Sequence, residues 1–282
     1  MHPGFIFLLP LSLSFFGCNN IPEKYQVDVL AGEKKEIYKT INDIPLPRGY
    51  THIKTGDSLY AEWLLGIGLR INKTVYLYNG KPKPNQEVQF AVLDMDIGRK
   101  NLLQCADAAI RLRAAYLFRA GCFDKINFIA TSGDTLSFTQ WQRGICWIEQ
   151  AGKLVKVSGN AIPGSPEKSF PAFMEFVYAY CGTYSLSRQL ASVNIPALIQ
   201  PGDIFIEGGF PGHAVTVMAV ATNNNGKIIF LLSQGYMPAQ DIHVLKNPVN
   251  PQLSPWYSLD DIYPVYTPEW KFEEGNLKRW EF

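Results

Sequence analysis

One cysteine and one histidine stand where a nucleophile and its base could meet. Cys105 opens a helical pattern, where unpaired N–H groups and the positive end of the helix dipole stabilise a thiolate. His213 follows a Pro-Gly turn at the first position of an apolar strand. An imidazole beside a thiol can take its proton and later protonate a leaving amine. The pair therefore predicts nucleophilic attack on an amide carbonyl.

A third polar group usually orients the imidazole of such a pair. Residues 223–226 predict a hairpin loop, and side chains alternate along the strands on either side of it. Whether the loop contains four residues or two, an even-numbered residue of the next strand shares the face of His213. Gln234 is therefore the candidate orienting group, because a long side chain can reach a diagonal neighbour.

The thiol must be held by a helix. Asn101 can cap that helix, and Gln104 follows three residues later, as in a capping box. Apolar residues then recur at helical spacing, so we expect a helix from Cys105 to about Arg119. Asp107 and Arg111 are four residues apart on this helix, and we expect them to form an ion pair.

The imidazole must be held by a sheet. Residues 200–237 predict a three-stranded antiparallel meander with tight turns. Its strands are expected at 203–207, 213–221 and 227–234. Asp203 is interpreted as a structural residue that fixes the turn before the first strand.

The rest of the chain predicts shorter elements and a single domain. Helices are expected at 58–66 and 173–180, and strands at 75–78, 88–93 and 126–130. No internal repeat and no long low-complexity linker divides the sequence. We therefore expect one α+β domain over residues 46–282.

The N-terminus has the pattern of an export signal. An apolar stretch from Phe5 to Phe16 is followed by Gly17 and Cys18. A cysteine directly after a small residue resembles the lipobox of bacterial lipoproteins, which implies cleavage before Cys18 and lipidation of its thiol. Residues 1–17 are then a signal peptide, and residues 18–45 a lipidated tether and lead-in. The alternative is an ordinary signal peptide with an incidental cysteine, and both readings predict export.

Cysteine usage leaves two interpretations open. Without Cys18, the remaining cysteines are Cys105, Cys122, Cys146 and Cys181. In an oxidising compartment they could form two disulfides in one of three pairings. They could equally be buried apolar residues together with one reactive thiol.

Composition excludes several classes of protein. Lys and Arg total 26 and Asp and Glu total 25, so the formal charge of +1 excludes the strongly basic surface of a nucleic-acid-binding protein. Hydrophobic residues make up 47% and charged residues 18%, which indicates a folded chain. No Walker loop or dinucleotide-type glycine pattern is present. We predict no nucleic-acid partner and no cofactor.

In chain order, these motifs resemble the papain-like fold of NlpC-type and CHAP-type cell-wall peptidases and amidases. The matching stretches are Gln104-Cys105-Ala106-Asp107, Pro201-Gly202-Asp203-Ile204-Phe205, Gly212-His213-Ala214-Val215 and Ser233-Gln234. The resemblance implies an α+β core in which a nucleophile helix packs on an antiparallel β-meander, with N-terminal and C-terminal β extensions. It also implies that Cys105 attacks a peptidoglycan-like amide, His213 transfers the proton and Gln234 orients the ring.

The mature chain also resembles a family of uncharacterised lipoproteins from Bacteroidetes-type bacteria. The stretches that carry this resemblance are Cys105-Ala106-Asp107-Ala108 with Arg111-Leu112-Arg113, and residues 237–245. It implies an envelope protein anchored by lipid to the outer membrane, on its periplasmic or surface face, without an established activity.

Two features favour an alternative function. Gln-Cys-Ala-Asp replaces the Asp-Cys-Ser-Gly that is usual around an NlpC-type nucleophile, and the third position is Gln. A neutral amide orients an imidazole but does not stabilise an imidazolium as a carboxylate does. The alternative is a catalytically inactive papain-like relative that binds peptide, glycan or a partner envelope protein. A metal site formed by His213, Asp241 and His243 is a further alternative, although no metal-ligand spacing supports it.

Overall fold

The computed structural model describes residues 37–53, 58–159, 165–260 and 262–281. The predicted signal peptide, the lipidation site Cys18 and most of the predicted tether lie outside these residues. The unit that contains the site begins at Ile37. Because Ile41 and Ile44 are buried in its core, the folded part extends into the segment that the sequence predicts as a lead-in.

The described residues form a mixed α+β fold whose strand pairs are antiparallel. The helices are α1 (Ser58–Leu65), α2 (Cys105–Arg119), α3 (Phe138–Gln142), α4 (Pro166–Tyr180) and α5 (Thr183–Gln189). The strands are β1 (Tyr50–His52), β2 (Gln89–Val92), β3 (Asn127–Ile129), β4 (Thr135–Ser137), β5 (Ile145–Gln150), β6 (Lys153–Ser158), β7 (Ala191–Ser192), β8 (Ile204–Glu207), β9 (His213–Asn223), β10 (Ile228–Gln234), β11 (His243–Leu245), β12 (Tyr257–Ser258), β13 (Val265–Tyr266), β14 (Lys271–Phe272) and β15 (Leu277–Arg279).

The main sheet is built around the predicted meander. Its strand order is β2-β11-β10-β9-β8-β15-β7, with β1 paired to β9 and β12 paired to β10. The meander β8-β9-β10 is confirmed, and β9 runs two residues beyond the predicted end at residue 221. Strands from the two ends of the folded part, β1 and β15, therefore join the same sheet.

The register of the β9–β10 hairpin contains two offsets that cancel. Thr222 pairs with Ile228, one residue further than a four-residue loop allows. A β-bulge then shifts the register back, so that Val217 pairs with Leu232. Beyond the bulge, even-numbered residues of β10 again lie on the face of β9 that carries His213, as the sequence predicts.

The two faces of the sheet have separate cores. Helix α2 packs on β9 and β10, and the core on that face includes Ala214 and Met218. On the other face Val215 and Val217 pack with aromatic residues, among them Phe272 from the C-terminal segment. Residues of β9 alternate between these two environments because strand side chains point to opposite faces, except at the bulge, where Met218 and Ala219 both belong to the core beneath α2.

Several local predictions are corrected by the structure. Helix α4 begins at Pro166 rather than near residue 173, because Pro166 provides the first helical position and Pro171 lies inside the helix. Residues 75–78 do not form a continuous strand and make only isolated bridges, those of Tyr76 and Leu77. Among the described residues, no helix is both long enough and apolar enough to cross a membrane.

An ion pair between a buried carboxylate and a partly exposed arginine fixes the turn that leads into the meander. The Asp203 carboxylate, 1% exposed, accepts two hydrogen bonds from Arg279, at 2.6 and 2.8 Å. It also accepts the Gln200 N–H at 2.8 Å, as expected for a residue that fixes this turn. Burial raises the pKa of Asp203, and the hydrogen bonds and charge of Arg279 oppose that rise. Strand β15 is thus tied to the start of β8 by charge as well as by strand pairing.

Replacing Arg279 by Met should destabilise the fold, because it leaves a buried carboxylate without its cation. We expect the free energy of unfolding at pH 7 to fall by about 3–5 kcal/mol, measured by urea denaturation. The matched control is Lys271→Met, which breaks an exposed pair with Glu273 and should cost about 0–1 kcal/mol. Equal losses in the two variants would contradict a structural role for the pair of Asp203 and Arg279.

Candidate active site

The first residue of helix α2 places its thiol beside the start of strand β9. Gln104 is the N-cap, and its N–H donates to the Asp107 carboxylate at 3.0 Å, so the helix begins at Cys105. The Cys105 Sγ lies 3.9 Å from the Gly212 carbonyl oxygen. The Ala214 N–H also hydrogen-bonds the sulfur. The thiol therefore contacts the backbone on both sides of His213.

The predicted capping and charge pairing of this helix need correction. Asn101 does not cap it, because its side-chain oxygen accepts the Ala239 N–H at 2.8 Å. Asp107 forms no ion pair with Arg111 among the described residues, because its carboxylate is turned toward the helix start. Helical spacing alone could not reveal this, since it does not show which face of the helix start is buried.

Two glycines allow the helix start and the strand end to approach each other. A Cβ at Gly235 would lie 2.8 Å from the Gln104 carbonyl oxygen, so the end of β10 fits against the start of α2 only without a side chain. A Cβ at Gly212 would overlap the Thr183 hydroxyl and lie 2.7 Å from the Glu207 carbonyl oxygen. Both glycines are therefore required by close contacts around the thiol.

The thiol is electrically neutral at neutral pH. Burial raises the pKa of Cys105 to about 11, and the charge of Asp107 adds to that rise. Hydrogen bonds from the Ala106 and Ala214 N–H groups favour the thiolate but do not compensate. The sequence-based expectation that the helix terminus stabilises a thiolate is therefore wrong in net effect, because Cys105 is only 8% exposed.

The imidazole of His213 is held by one hydrogen bond and an aromatic surround. Its Nε2 lies 2.9 Å from the Gln234 side-chain oxygen. The rings of Trp270, Phe272 and Tyr236 lie at centroid distances of 5.3, 5.9 and 5.0 Å. Burial lowers the pKa of His213 to about 4, and the positive charge of Lys83 contributes to the decrease. His213 is therefore a neutral imidazole above about pH 5.

Gln234 joins His213 to His243 and to an ion pair of Lys83 and Glu269 that the sequence does not predict. Its Nε2 donates to the Glu269 carboxylate at 2.6 Å and lies 3.3 Å from His243 Nε2. The same oxygen of Glu269 accepts from Lys83 Nζ at 2.6 Å. Lys83 is 6% exposed and Glu269 15% exposed, so this ion pair is shielded from water. We call these residues the polar cluster: Lys83, His213, Gln234, His243 and Glu269.

Neither Asp241 nor His243 is arranged as a partner of His213 in a metal site. The Asp241 carboxylate faces the Tyr76 N–H at 2.8 Å and the Arg70 guanidinium at 3.0 Å. His243 Nδ1 lies 2.8 Å from the Asp241 carbonyl oxygen. Within the described residues, no group of His, Cys, Asp and Glu side chains is placed to hold a metal ion.

All four cysteines of the described residues are free thiols. Cys105 and Cys181 are buried, and Cys122 and Cys146 are partly exposed. Burial raises the pKa of Cys181 even more strongly than that of Cys105. The sequence left open either two disulfides or free cysteines. Among the described residues the structure has no disulfide, so it supports free cysteines.

Comparison with known proteins identifies a family. The family model described as domain of unknown function (4846) matches residues 41–279, which is most of the chain. Neither a search of the curated proteins nor a search of the solved structures finds a match.

The two buried histidines of the polar cluster should make the fold sensitive to acid. An exposed histidine titrates near 6.5, whereas burial lowers the pKa of His213 to about 4 and that of His243 to about 3. Between these values the unfolded chain binds more protons than the folded chain, so stability is complete above about pH 6.5 and falls below it. We expect the free energy of unfolding to fall by about 1.4 kcal/mol per pH unit for each histidine, measured by urea denaturation between about pH 7.5 and 4.5.

Replacing His243 by Gln separates this effect from general acid denaturation. The variant should lose about half of the histidine-dependent slope, because one of the two buried imidazoles is gone. His52 is only half-buried, so His52→Gln should change the slope less. A slope that stays the same in His243→Gln would show that His243 keeps an ordinary pKa in the folded chain.

Proposed function

We propose that this chain, which belongs to the family described as domain of unknown function (4846), is a cysteine peptidase or amidase of papain-like fold. Its substrate class in this proposal is cell-wall peptide or a related amide. The observation that carries the proposal is the position of the Cys105 sulfur, which contacts the Gly212 oxygen and the Ala214 N–H on either side of His213. The thiol at a helix start thus contacts the backbone that flanks His213, although the two residues are more than a hundred positions apart in the chain.

The surroundings of His213 support its role as the base. The ring leans toward β10, because its Nε2 is hydrogen-bonded to Gln234. The start of α2 lies beside the same strand, because the Gln104 carbonyl is close to Gly235. The other ring nitrogen, Nδ1, is the one nearer to the His213 backbone, whose neighbouring groups the sulfur contacts. We assign to Nδ1 the role of accepting the thiol proton.

The chemistry then proceeds from a neutral pair. As Cys105 Sγ forms a bond to the amide carbonyl carbon, its proton moves to His213, and in this proposal the Cys105 N–H stabilises the oxyanion. The carbon–nitrogen bond breaks when His213 returns the proton to the leaving amine. Water, deprotonated by His213, then hydrolyses the thioester and restores the thiol. Because burial favours the neutral thiol and the neutral imidazole, proton transfer accompanies attack rather than preceding it.

The proposed fold assignment rests on the order and contacts of the elements. A helix that begins with the cysteine packs on an antiparallel meander, and the histidine opens the middle strand of that meander. The orienting amide comes from the next strand, β10. This arrangement supports a papain-like core with β1 and β15 as additions to its sheet.

The proposed location follows from the N-terminal sequence. The apolar stretch of residues 5–16 followed by Gly17 and Cys18 supports export and lipidation at Cys18. The proposed enzyme is therefore a lipoprotein anchored in the outer membrane, where cell-wall peptides are within reach on the periplasmic side.

A second candidate function is binding without catalysis. Burial of Cys105 and the rise of its pKa to about 11 favour this reading, because both reduce the reactivity of a thiol. In that case the chain binds peptide, glycan or a partner envelope protein at a papain-like site that does not turn over.

Thiol labelling distinguishes an activated cysteine from an inert one. We expect iodoacetamide to modify Cys105 at pH 8 in a reaction that depends on His213, with a rate about 100-fold lower in His213→Ala. Mass spectrometry of the modified peptides measures this rate at each cysteine separately. The partly exposed Cys146 provides the internal control, because its rate should not change in His213→Ala. A Cys105 rate that is unaffected by His213→Ala would contradict the proposed base.

Incubation with purified peptidoglycan fragments tests the reaction itself. The wild type should release fragments with new amino and carboxyl termini, and Cys105→Ala should release none because it lacks the nucleophile. Fragments that both proteins bind equally and neither cleaves would support the binding function. The matched control is Cys181→Ala, which removes a different buried thiol. This variant should release fragments at the rate of the wild type.

A further inference from the structure

We infer that Glu269 is a positioning residue for the proposed reaction: it fixes the side-chain amide of Gln234, which in turn fixes the tautomer of His213. The inference rests on the proposed function for its catalytic meaning, whereas its structural part can be measured without any substrate. Glu269 lies in the C-terminal segment, between β13 and β14, and reaches the site from outside the helix and the meander.

The first step is the orientation of the amide. An amide can be placed with its oxygen and nitrogen exchanged, and the hydrogen-bond partners decide between the two placements. The Glu269 oxygen that faces Gln234 at 2.6 Å is an acceptor. The amide oxygen would repel that carboxylate at such a distance, so the NH₂ group must face Glu269 and the amide oxygen must face His213.

The second step is the tautomer of His213. The Gln234 oxygen only accepts hydrogen bonds, so at 2.9 Å from His213 Nε2 it requires the ring hydrogen on that nitrogen. The neutral ring then carries its lone pair on Nδ1, the nitrogen that accepts the thiol proton in the proposed reaction. The reversed amide would favour hydrogen on Nδ1 and leave His213 unable to act as that base.

His243 supports the same orientation independently. Its Nδ1 lies 2.8 Å from the Asp241 carbonyl oxygen, which can only accept, so Nδ1 carries the hydrogen. Its Nε2 is then an acceptor, and the second hydrogen of the Gln234 amide points to it at 3.3 Å. The amide of Gln234 thus has a donor or acceptor of the right kind on each side.

Lys83 provides the counter-ion of Glu269. Its ammonium lies 2.6 Å from the Glu269 oxygen that also accepts from Gln234. Opposite charges at this distance stabilise each other in a shielded site. The third position of the sequence motif has no carboxylate, but the Glu269 carboxylate lies next in the hydrogen-bond chain, after Gln234. It therefore acts on His213 through a neutral amide.

Nitrogen NMR of the histidine rings tests the tautomer directly. In the ¹⁵N-labelled wild type at pH 7, we expect hydrogen on Nε2 of His213 and on Nδ1 of His243. Hydrogen on Nδ1 of His213 would overturn the inference, whatever the protein does to substrate. The measurement uses the folded wild type, so it does not depend on the stability of a variant.

The variant Glu269→Gln tests the cause. A neutral amide at this position can accept or donate, so the orientation of Gln234 is no longer fixed and both tautomers of His213 should be detected. The rate of Cys105 alkylation should fall about tenfold, part of what a general base contributes. The matched control Glu273→Gln removes the same charge from an exposed ion pair in the same segment and should change neither readout.

The two proposals fail in different ways. If wild-type Cys105 is not activated by His213 but the tautomers are as expected, the proposed function fails and the positioning role of Glu269 remains. If Glu269→Gln leaves a single Nε2–H tautomer and an unchanged alkylation rate, the positioning role fails and the cysteine hydrolase proposal remains.

Discussion

The hydrogen bond between the Gln234 amide and the His213 ring is the interaction on which the rest of the site depends. Two buried imidazoles, those of His213 and His243, and the largely shielded Glu269 carboxylate meet at that amide. An unmatched hydrogen bond at a buried group would cost about 1–3 kcal/mol. The Gln234 side chain alone forms a hydrogen bond with each of these groups, because an amide carries both donors and an acceptor. A carboxylate at the same position could not face Glu269, and an aspartate would also be too short.

Much of the core could be predicted because its signals are local. Helix α2 has a regular apolar spacing and a polar N-terminus, and the meander is marked by glycine, proline and asparagine at its turns. The side of β10 that carries Gln234 was predicted correctly, although the pairing of Thr222 with Ile228 lies between the two predicted registers. The bulge that restores the register leaves no pattern in the sequence, since an extra residue within the apolar run from Val217 to Ala221 changes nothing in the composition.

The remaining parts of the site depend on contacts between distant segments. Lys83 and Glu269 lie in irregular regions with no periodicity, so no local rule connects them to each other or to Gln234. The protonation state of Cys105 was mispredicted for a related reason. A helix start favours a thiolate when it faces water, and whether it does so is decided by the elements that cover it, here the ends of β9 and β10.

The place of β15 in the sheet has a consequence for how the molecule is made. This last strand lies between β7 and β8, segments that precede it by more than seventy residues, and Arg279 supplies the cation for a carboxylate in the middle of the chain. Pairings of such long sequence separation form slowly. A nascent chain whose final segment is still being synthesised would therefore have an open sheet edge at β8.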